Sequence, residues 1–321
     1  MIIAGIVANA DPPSTAAAAF DPATNRWRRL PPPPPGGPGR YEGELESVWT
    51  GSEMIVLGAS FHTAYSPAAN RWRTLADVTA AHLGGFALVW TGTAVLTWGG
   101  GCCAGAEATG AAYTPATDSW AALPRSPLVG RLTTGAWTGT ELVIAGGTSG
   151  ERTVLDSGGH SVDIGAAALA DAAAYNPRTR SWRLIAPLPA ARTGATLTWD
   201  GRELLLVGGG DAHRSTLPDA PLSYDPAANR WQALPPDGGG RVGHAAAWTG
   251  RRLLVWGGGQ LRGGGFVPAA RGAAYDPATR SWSPLPLSPL RGRQSPTVVW
   301  TGRALLVWGG DERTDGAVYR P

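Results

Sequence analysis

A pair of short motifs recurs along the whole chain and constrains its fold more than any other feature. In the first motif, an aromatic residue stands two places before a proline and seven places before a tryptophan, as in Tyr275, Pro277 and Trp282. Its copies begin at Phe20, Tyr65, Tyr113, Tyr175, Tyr224 and Tyr275, and a copy without the tryptophan begins at Tyr319. The second motif, Trp-Thr/Asp-Gly, begins at Trp49, Trp90, Trp137, Trp199, Trp248 and Trp300. Self-similarity at a spacing of about 50 residues predicts a repeat architecture.

Each repeat unit is expected to form four short antiparallel strands. The segment around Thr138-Gly139 is apolar on both sides of a short turn, as in a β-hairpin. Asp276-Pro277 predicts a second turn, because proline presets φ and the aspartate side chain caps the turn. A unit of this size cannot cover its own apolar faces, so the copies must pack on one another. Radial packing into a β-propeller achieves this and leaves no long exposed edges.

The pattern resembles the kelch-repeat family. In that family a glycine pair ends the second strand, a tyrosine lies in the third and a tryptophan opens the fourth, as at Gly257-Gly258, Tyr275 and Trp282. Two units depart from the pattern, since Gly58-Ala59 replaces a glycine pair and Phe20 replaces the tyrosine. The resemblance covers essentially the whole chain. It implies an all-β, kelch-type β-propeller in which residues 1–321 form a single domain.

The repeat count predicts seven blades of four antiparallel strands with incomplete first and last blades, about twenty-six strands in all. The segment from Met1 to Gly5 aligns with the second strand of later units, so the first blade lacks its first strand. The last blade ends at Tyr319 and lacks its fourth. We therefore expect an N-terminal truncation, an open edge that promotes association, and a monomer when the ring is complete. The alternative is a six-bladed ring with the last unit, from Arg293, as an overhang.

Charge and composition bear on partners and compartment. All 27 basic residues are arginine and are scattered along the chain, and the formal net charge is +3. Because nucleic-acid binding needs a clustered basic stripe, we expect no nucleic-acid partner. No apolar run of about 18 residues is present, and we expect no membrane span. A signal peptide in a missing N-terminal segment would indicate secretion or the cell surface, but the residues themselves assign no compartment.

The connections between second and third strands differ greatly in length, whereas the hairpin turns at the opposite face are short and nearly uniform. The variable connections span residues 101–110, 148–171, 211–220, 260–271 and 311–315. Because loops on a rigid scaffold commonly carry binding sites, we expect the ligand on the face that holds these connections. The first of them contains the adjacent Cys102 and Cys103, which are either free thiols or a vicinal disulfide.

Four arginines are the leading ligand-binding candidates. They are Arg131, Arg192, Arg241 and Arg293. Each precedes the tryptophan of the second motif by six or seven residues, where the kelch resemblance places the strand nearest the central channel. Converging guanidinium groups would bind a carboxylate, sulfate or phosphate. The alternative is that each arginine binds loop carbonyls or an acidic neighbour such as Asp211 or Asp311 and joins blades.

Further polar residues complete the list of candidates. His244 and Asp211 belong to the candidate ligand site, although a structural hydrogen bond is the simpler role for His244. Asp156, His160 and Asp163 offer metal-ligating side chains at a spacing that is only a weak signal. We expect no metal and no cofactor.

The resemblance does not extend to the copper chemistry of galactose oxidase. That kelch-type enzyme needs two histidines, two tyrosines and a cross-linked cysteine. Here the five histidines fall in five different units, and Tyr41 is the one tyrosine outside the repeat pattern. An oxidase of this kind is therefore not expected.

The leading functional hypothesis is a non-catalytic binding propeller that presents its variable connections and an arginine-lined channel mouth to a protein, a peptide or an acidic glycan. The alternative is a carbohydrate-active enzyme similar to kelch-type sugar-acid epimerases, with acid/base groups near the mouth. Its candidate residues are Arg192, Arg241, Glu151 and Asp211. Such an enzyme requires two titratable groups and an arginine within hydrogen-bond reach of one another. The fold alone does not decide between these hypotheses.

Overall fold

Seven antiparallel blade sheets follow one another along the chain, in the order of the sequence repeats. The computed structural model describes residues 1–7, 14–34, 45–58, 61–77, 85–102, 105–150, 152–155, 161–164, 166–211, 217–218, 220–262, 265–311 and 313–321. These residues contain thirty-one strands and no helix. Within the same residues there is accordingly no helix that is long and apolar enough to cross a membrane.

The strands are numbered along the chain. Blade 1 contains β1 (Ile2–Val7), β2 (Ser14–Asp21) and β3 (Arg26–Arg29). Blade 2 contains β4 (Glu46–Trp49), β5 (Met54–Leu57), β6 (His62–Ser66) and β7 (Arg71–Thr74). Blade 3 contains β8 (Phe86–Trp90), β9 (Val95–Gly99), β12 (Gly110–Thr114) and β13 (Ser119–Ala122), and β10 (Gly101–Cys102) and β11 (Gly105–Ala106) form a small hairpin between β9 and β12.

The remaining blades repeat this arrangement. Blade 4 contains β14 (Gly135–Trp137), β15 (Leu142–Ala145), β18 (Ala172–Asn176) and β19 (Ser181–Ile185), with the hairpin β16 (Arg152–Leu155) and β17 (Ser161–Ile164) between β15 and β18. Blade 5 contains β20 (Thr193–Trp199), β21 (Leu204–Gly210), β22 (Leu222–Asp225) and β23 (Arg230–Ala233). Blade 6 contains β24 (Val242–Trp248), β25 (Leu253–Arg262), β27 (Gly272–Asp276) and β28 (Ser281–Pro284), and β26 (Gly265–Pro268) pairs with the end of β25. Blade 7 contains β29 (Thr297–Trp300), β30 (Leu305–Trp308) and β31 (Gly316–Tyr319).

The prediction of seven blades with incomplete first and last blades is confirmed. Five blades have four strands in their main path and two have three, which matches the predicted count of twenty-six. The six-bladed alternative is wrong, because blade 7 is part of the ring. Its first strand, β29, contacts β24 of blade 6. On its other side, the Trp308 ring packs against Trp27 of blade 1 with centroids 4.6 Å apart.

The first strands of the blades lie innermost in the ring. Successive first strands contact one another from β4 through β8, β14, β20 and β24 to β29. In every complete blade the other strands pair outwards in chain order, so the fourth strand forms the outer edge. The Trp-Thr/Asp-Gly motif therefore belongs to the innermost hairpin, and the aromatic-x-Pro motif to the outermost one.

The predicted turn chemistry holds the strands in register. In the innermost hairpin of blade 4, the Thr138 hydroxyl accepts hydrogen bonds from the backbone N–H groups of Thr140 and Glu141, at 3.4 and 3.0 Å. In the outermost hairpin of blade 6, the Asp276 carboxylate accepts a hydrogen bond from the Ala278 N–H at 3.0 Å. The same bonds recur in other blades, which explains why strands of similar length repeat so regularly.

The hydrophobic core lies between neighbouring blades. Val143 of blade 4, for example, belongs to one buried cluster with Leu206 and Tyr224 of blade 5. The third-strand tyrosines of the complete blades are at most 2% exposed. Burial of one aliphatic side chain contributes about 1.5–3 kcal/mol, so each seam between blades supplies a large share of the stability.

Candidate functional site

The four candidate arginines are buried just before the innermost strands of blades 4 to 7. Arg131 and Arg293 are 0% exposed, Arg241 is 3% and Arg192 is 5%. Each arginine donates a hydrogen bond from Nη1 to the carbonyl of the first glycine in its own blade's glycine pair. These carbonyls belong to Gly146, Gly208, Gly257 and Gly309.

The backbone of the same arginines contacts the preceding blade. The second glycine of that blade's pair donates its N–H to the arginine carbonyl, as Gly100 does to Arg131 at 2.9 Å and Gly258 to Arg293 at 2.8 Å. The equivalent bonds join Gly147 to Arg192 and Gly209 to Arg241. Each arginine therefore ties its own blade to the previous one.

Two of the arginines form the same bidentate ion pair. Arg131 donates from Nη1 and Nη2 to the two carboxylate oxygens of Asp171, at 2.7 and 2.8 Å. Arg293 does the same to Asp315, at 2.7 and 3.1 Å. These hydrogen bonds lower the pKa of Asp171 and of Asp315, because they stabilise the ionised carboxylates.

The other two arginines differ from this pattern. Arg241 donates from Nε to Oδ2 of Asp237 at 2.9 Å, and both side chains are almost completely buried. Arg192 donates to the carbonyls of Gly208 and Ala220, at 3.4 and 3.1 Å. Its Nε is buried and has no hydrogen-bond partner in the described structure, and burial lowers the pKa of Arg192. The four sites are therefore not chemically equivalent.

These contacts are the ones expected if the arginines join blades, but the acidic partners are not those named from the sequence. The partners are Asp171, Asp237 and Asp315. Asp311 instead accepts a hydrogen bond from the Gln294 N–H at 3.0 Å, and Asp211 is half-buried after β21. An anion-binding role for the four arginines stays a prediction.

His244 is a buried residue of β24. Its Nε2 lies 2.9 Å from the Thr196 hydroxyl of blade 5, and its Nδ1 is buried without a hydrogen-bond partner in the described structure. Burial lowers the pKa of His244 to about 3, and the charge of Arg241 lowers it further in the same direction. The imidazole is therefore neutral near pH 7 and links two blades through a single hydrogen bond.

Several residues singled out in the sequence lie outside the described residues. They are Tyr41, Cys103, Glu151, Asp156 and His160. The pairing of Cys102 with Cys103, the metal-ligating set Asp156, His160 and Asp163, and the acid/base set of the alternative epimerase hypothesis are therefore untested. Where the chain is described, no group of three or more His, Cys, Asp and Glu side chains could hold a metal ion.

The connections between second and third strands carry strands of their own. The hairpin β10–β11 lies in the connection of blade 3 and β16–β17 in that of blade 4, while β26 extends the sheet of blade 6. Residues 267–273 begin at the end of β26 and continue beyond it. They pass close to residues 236–241, the segment that connects blade 5 to blade 6. The variable connections therefore form additional structured surface on their face of the propeller. The short, uniform hairpins of the opposite face form no such surface within the described residues.

A cleft of about 790 Å³ lies between these two segments, and we call it the blade 6 cleft. Its lining includes Pro236, Asp237, Gln260, Pro268, Arg271 and Trp282. The two segments are about thirty residues apart, so no local sequence signal indicates that they meet. Sequence reasoning identified Arg241, which lines the cleft, but missed the cleft itself and Arg271.

The walls of the blade 6 cleft are held by hydrogen bonds. The Gln260 side chain donates to the Gly239 carbonyl at 3.2 Å, and the Trp282 indole donates to the Pro235 carbonyl at 3.0 Å. The Arg271 side chain is exposed and forms no ion pair within the described residues. The cleft thus combines a largely apolar, fixed lining with one available cation.

Comparison with models of protein families gives no match, and comparison with curated proteins finds no relative.

Proposed function

We propose that the protein is a non-catalytic, kelch-type binding propeller whose ligand is a carboxylate-bearing peptide segment of a partner protein, bound in the blade 6 cleft. The observation that carries this proposal is the cleft itself, about 790 Å³ in volume and formed by variable connections, with Arg271 available at its side. Pockets of this size with an apolar lining and few polar groups are typical ligand sites.

The chemistry of the lining favours a peptide. Pro236, Pro268 and the Trp282 ring offer apolar surface to an extended chain. A tryptophan ring supplies a large contact area at a low cost in conformational entropy. The Arg271 guanidinium has a planar fork that binds a carboxylate through two parallel hydrogen bonds. The Asp237 carboxylate also lines the cleft, but its negative charge is neutralised by the ion pair with Arg241 and therefore repels a ligand carboxylate less.

The fixed walls favour binding without a large rearrangement. The bonds from Gln260 and Trp282 hold the two sides of the cleft in place before a ligand arrives. A site that is formed in advance loses less conformational entropy on binding. Recognition by a rigid cleft fits a binding module and requires no acid or base.

The test is a selection of peptides from a random library on the intact protein, followed by affinity measurements with two matched variants. Arg271→Ala removes the available cation of the cleft. Arg303→Ala removes an exposed arginine in the β29–β30 turn, away from the cleft. Selected peptides should contain Asp or Glu, and Arg271→Ala should weaken their binding about tenfold, which corresponds to about 1.4 kcal/mol, whereas Arg303→Ala should not.

Two outcomes would contradict the proposal. One is that the selected peptides bind both variants as they bind the unmodified protein. The other is that peptides fail to bind while carboxylated glycans bind in an Arg271-dependent way, which would assign the cleft to a sugar acid.

A further inference from the structure

An arginine–glutamate pair recurs at the same place in blades 2 and 4, on the face of the short hairpins. In blade 2, Arg73 donates from Nε and Nη2 to the two carboxylate oxygens of Glu53, at 3.3 and 2.8 Å. Its Nη1 donates to the Tyr113 hydroxyl of blade 3 at 3.0 Å. Arg183 and Glu141 of blade 4 repeat the pairing at 3.1 and 2.7 Å. The Arg73 side chain thus spans the seam between blades 2 and 3.

Both members of this pair are alanine in blade 3. Ala94 stands directly before β9, where the glutamate stands in blades 2 and 4, and Ala121 directly follows the fourth-strand tryptophan, where the arginine stands. No other complete blade has alanine at both positions. A hollow of about 430 Å³ lies between blades 3 and 4, and we call it the blade 3–4 hollow. Ala94 and Ala121 both line it, so the two short side chains account for the open space.

The β18–β19 turn of blade 4 brings two arginines to the blade 3–4 hollow, Arg178 and Arg180. Every other complete copy of this turn has alanine in place of Arg178. Arg180 stands five residues after the third-strand tyrosine, where blades 2, 3 and 5 have Asn or Asp. Its φ is 52°, in a region that asparagine and aspartate adopt more readily than arginine. Both side chains are exposed and form no ion pair within the described residues.

The Tyr175 hydroxyl in the wall of the hollow lacks the acceptor that its counterparts use. The equivalent tyrosine of blade 5, Tyr224, donates to the side-chain oxygen of Asn229 at 2.8 Å. In blade 4 this acceptor position is Arg180, which offers donors only. Within the described residues the Tyr175 hydroxyl therefore keeps its hydrogen available for an acceptor in the hollow.

The rest of the lining is largely apolar and, among the described residues, contains no Asp or Glu. Leu96, Leu123 and the Trp137 ring supply the apolar surface. In the seam between blades 5 and 6, by contrast, Glu203 and Arg280 both lie close to the third-strand tyrosine of blade 6. The blade 3–4 hollow thus combines two uncompensated cations and a hydroxyl donor with an apolar wall.

We propose that the blade 3–4 hollow binds a small aromatic carboxylate. The ligand's carboxylate pairs with Arg178 and Arg180 and accepts a hydrogen bond from the Tyr175 hydroxyl, because arginine forks and hydroxyl donors match carboxylate oxygens. Its flat ring packs on the Trp137 ring, since aromatic pairs add to the free energy of apolar burial. A hollow of about 430 Å³ has the volume of a small-molecule site. The site arises from side chains that differ between the blades, not from a longer connection.

The test is isothermal titration calorimetry of the full chain with naphthoate, which has a carboxylate and a flat apolar body. The matched probes are naphthamide, which lacks the charge, and acetate, which lacks the ring. We expect saturable binding of naphthoate and at least about tenfold weaker binding of each of the other two. No binding of naphthoate, or an equal affinity for either matched probe, would overturn the proposal.

Two matched variants locate the binding. Arg180→Asn removes one cation of the hollow and introduces the residue that blades 2 and 5 have at this position and φ, so the fold is expected to tolerate it. It should weaken naphthoate binding about tenfold. Arg280→Asn makes the same change in blade 6 and should leave the affinity unchanged. Equal naphthoate affinities of the two variants would overturn the proposal.

A third variant fills the hollow. Ala94→Glu combined with Ala121→Arg introduces the pair found in blades 2 and 4, and it should abolish naphthoate binding without lowering the Tm. Binding that persists in this folded variant would contradict a site in the hollow. If the double variant does not fold, Arg178→Ala takes its place and should weaken binding about tenfold.

Arg271→Ala distinguishes the hollow from the blade 6 cleft, which is also proposed to bind carboxylates. The present inference does not depend on that cleft, so Arg271→Ala should leave naphthoate binding unchanged. Binding that requires Arg271 but not Arg180 would assign naphthoate to the blade 6 cleft and overturn the proposal.

Discussion

Asp237 and Arg241 form an almost completely buried ion pair, with Oδ2 and Nε 2.9 Å apart, in the wall of the blade 6 cleft. The pair ties the connection from blade 5 to the beginning of β24. Arg241 also donates to carbonyls of Gly257 and Arg271 at 3.3 and 3.5 Å. The same residues that join two blades therefore shape the proposed ligand site.

Removal of Asp237 should destabilise the protein strongly. Asp237→Ala leaves the Arg241 charge buried without its carboxylate, which is expected to cost about 3–5 kcal/mol of unfolding free energy. The control is Glu141→Ala, which breaks the partly exposed pair with Arg183 at 2.7 Å and should cost less than about 1 kcal/mol. Urea unfolding of the three proteins measures both values. Similar costs for the two variants would contradict the account of the buried pair.

The buried His244 should make stability depend on pH. Its pKa is lowered to about 3 from an ordinary value of 6.5. Between pH 6.5 and about pH 3, the unfolded chain therefore binds a proton at His244 that the folded chain does not. The stabilisation is complete above pH 6.5 and is lost as the pH falls below it, by up to about 1.4 kcal/mol per pH unit. His244→Gln removes this titration. The slope of the unfolding free energy against pH, measured by urea unfolding between about pH 6.5 and pH 4, should therefore fall by up to about 1.4 kcal/mol per pH unit, which corresponds to one proton. An unchanged slope would contradict burial of the neutral imidazole.

Two glycines with positive φ should respond very differently to alanine. A Cβ on Gly208 would lie 2.3 Å from the Arg241 carbonyl oxygen and 2.7 Å from Cε1 of His244. A Cβ on Gly201, in the β20–β21 turn, would meet nothing within 4 Å. Gly201→Ala should therefore cost only about 1 kcal/mol of backbone strain, and Gly208→Ala several kcal/mol more. Thermal unfolding of the two variants measures this difference in stability. Equal melting temperatures of Gly201→Ala and Gly208→Ala would contradict the prediction.

The predicted anion-binding role is tested best at Arg192. Its buried Nε lacks a partner in the described structure, whereas the Arg131 guanidinium is bonded to Asp171 and to carbonyls. Sulfate should raise the Tm above that in chloride at equal ionic strength through binding. Because sulfate also stabilises proteins by exclusion, the variants supply the comparison: Arg192→Met should lose part of the increase and Arg131→Met should keep it. The same increase in both variants would contradict anion binding at Arg192.

The seven-bladed ring could be predicted because its signals are local and repeated. Trp-Thr-Gly and Asp-Pro each set a hairpin by short-range hydrogen bonds, such as that of Asp276 with Ala278. Six or seven copies of one pattern reinforce each other, and the alignment of Met1 to Gly5 with later second strands located the incomplete blades. Fold prediction therefore needed no long-range information.

The site could be predicted only in part because its contacts are long-range. The repeated spacing of Arg131 and Arg293 before the tryptophans of their units predicts an equivalent role for them, but their carboxylate partners stand 40 and 22 residues further along the chain. The partner of Arg241 stands four residues before it. The three acidic partners lie in connections between strands, and these connections have no repeat pattern that would place the partners in advance. The blade 6 cleft was missed for the same reason.

The most direct measurement of the central claim is amide hydrogen exchange with and without a selected carboxylate-bearing peptide. The account predicts added protection in residues 236–241 and 267–273, the two segments that form the blade 6 cleft. The Trp-Thr/Asp-Gly turns of the opposite face should exchange at unchanged rates. Protection confined to those turns, or spread over neither cleft segment, would contradict a binding site in the blade 6 cleft.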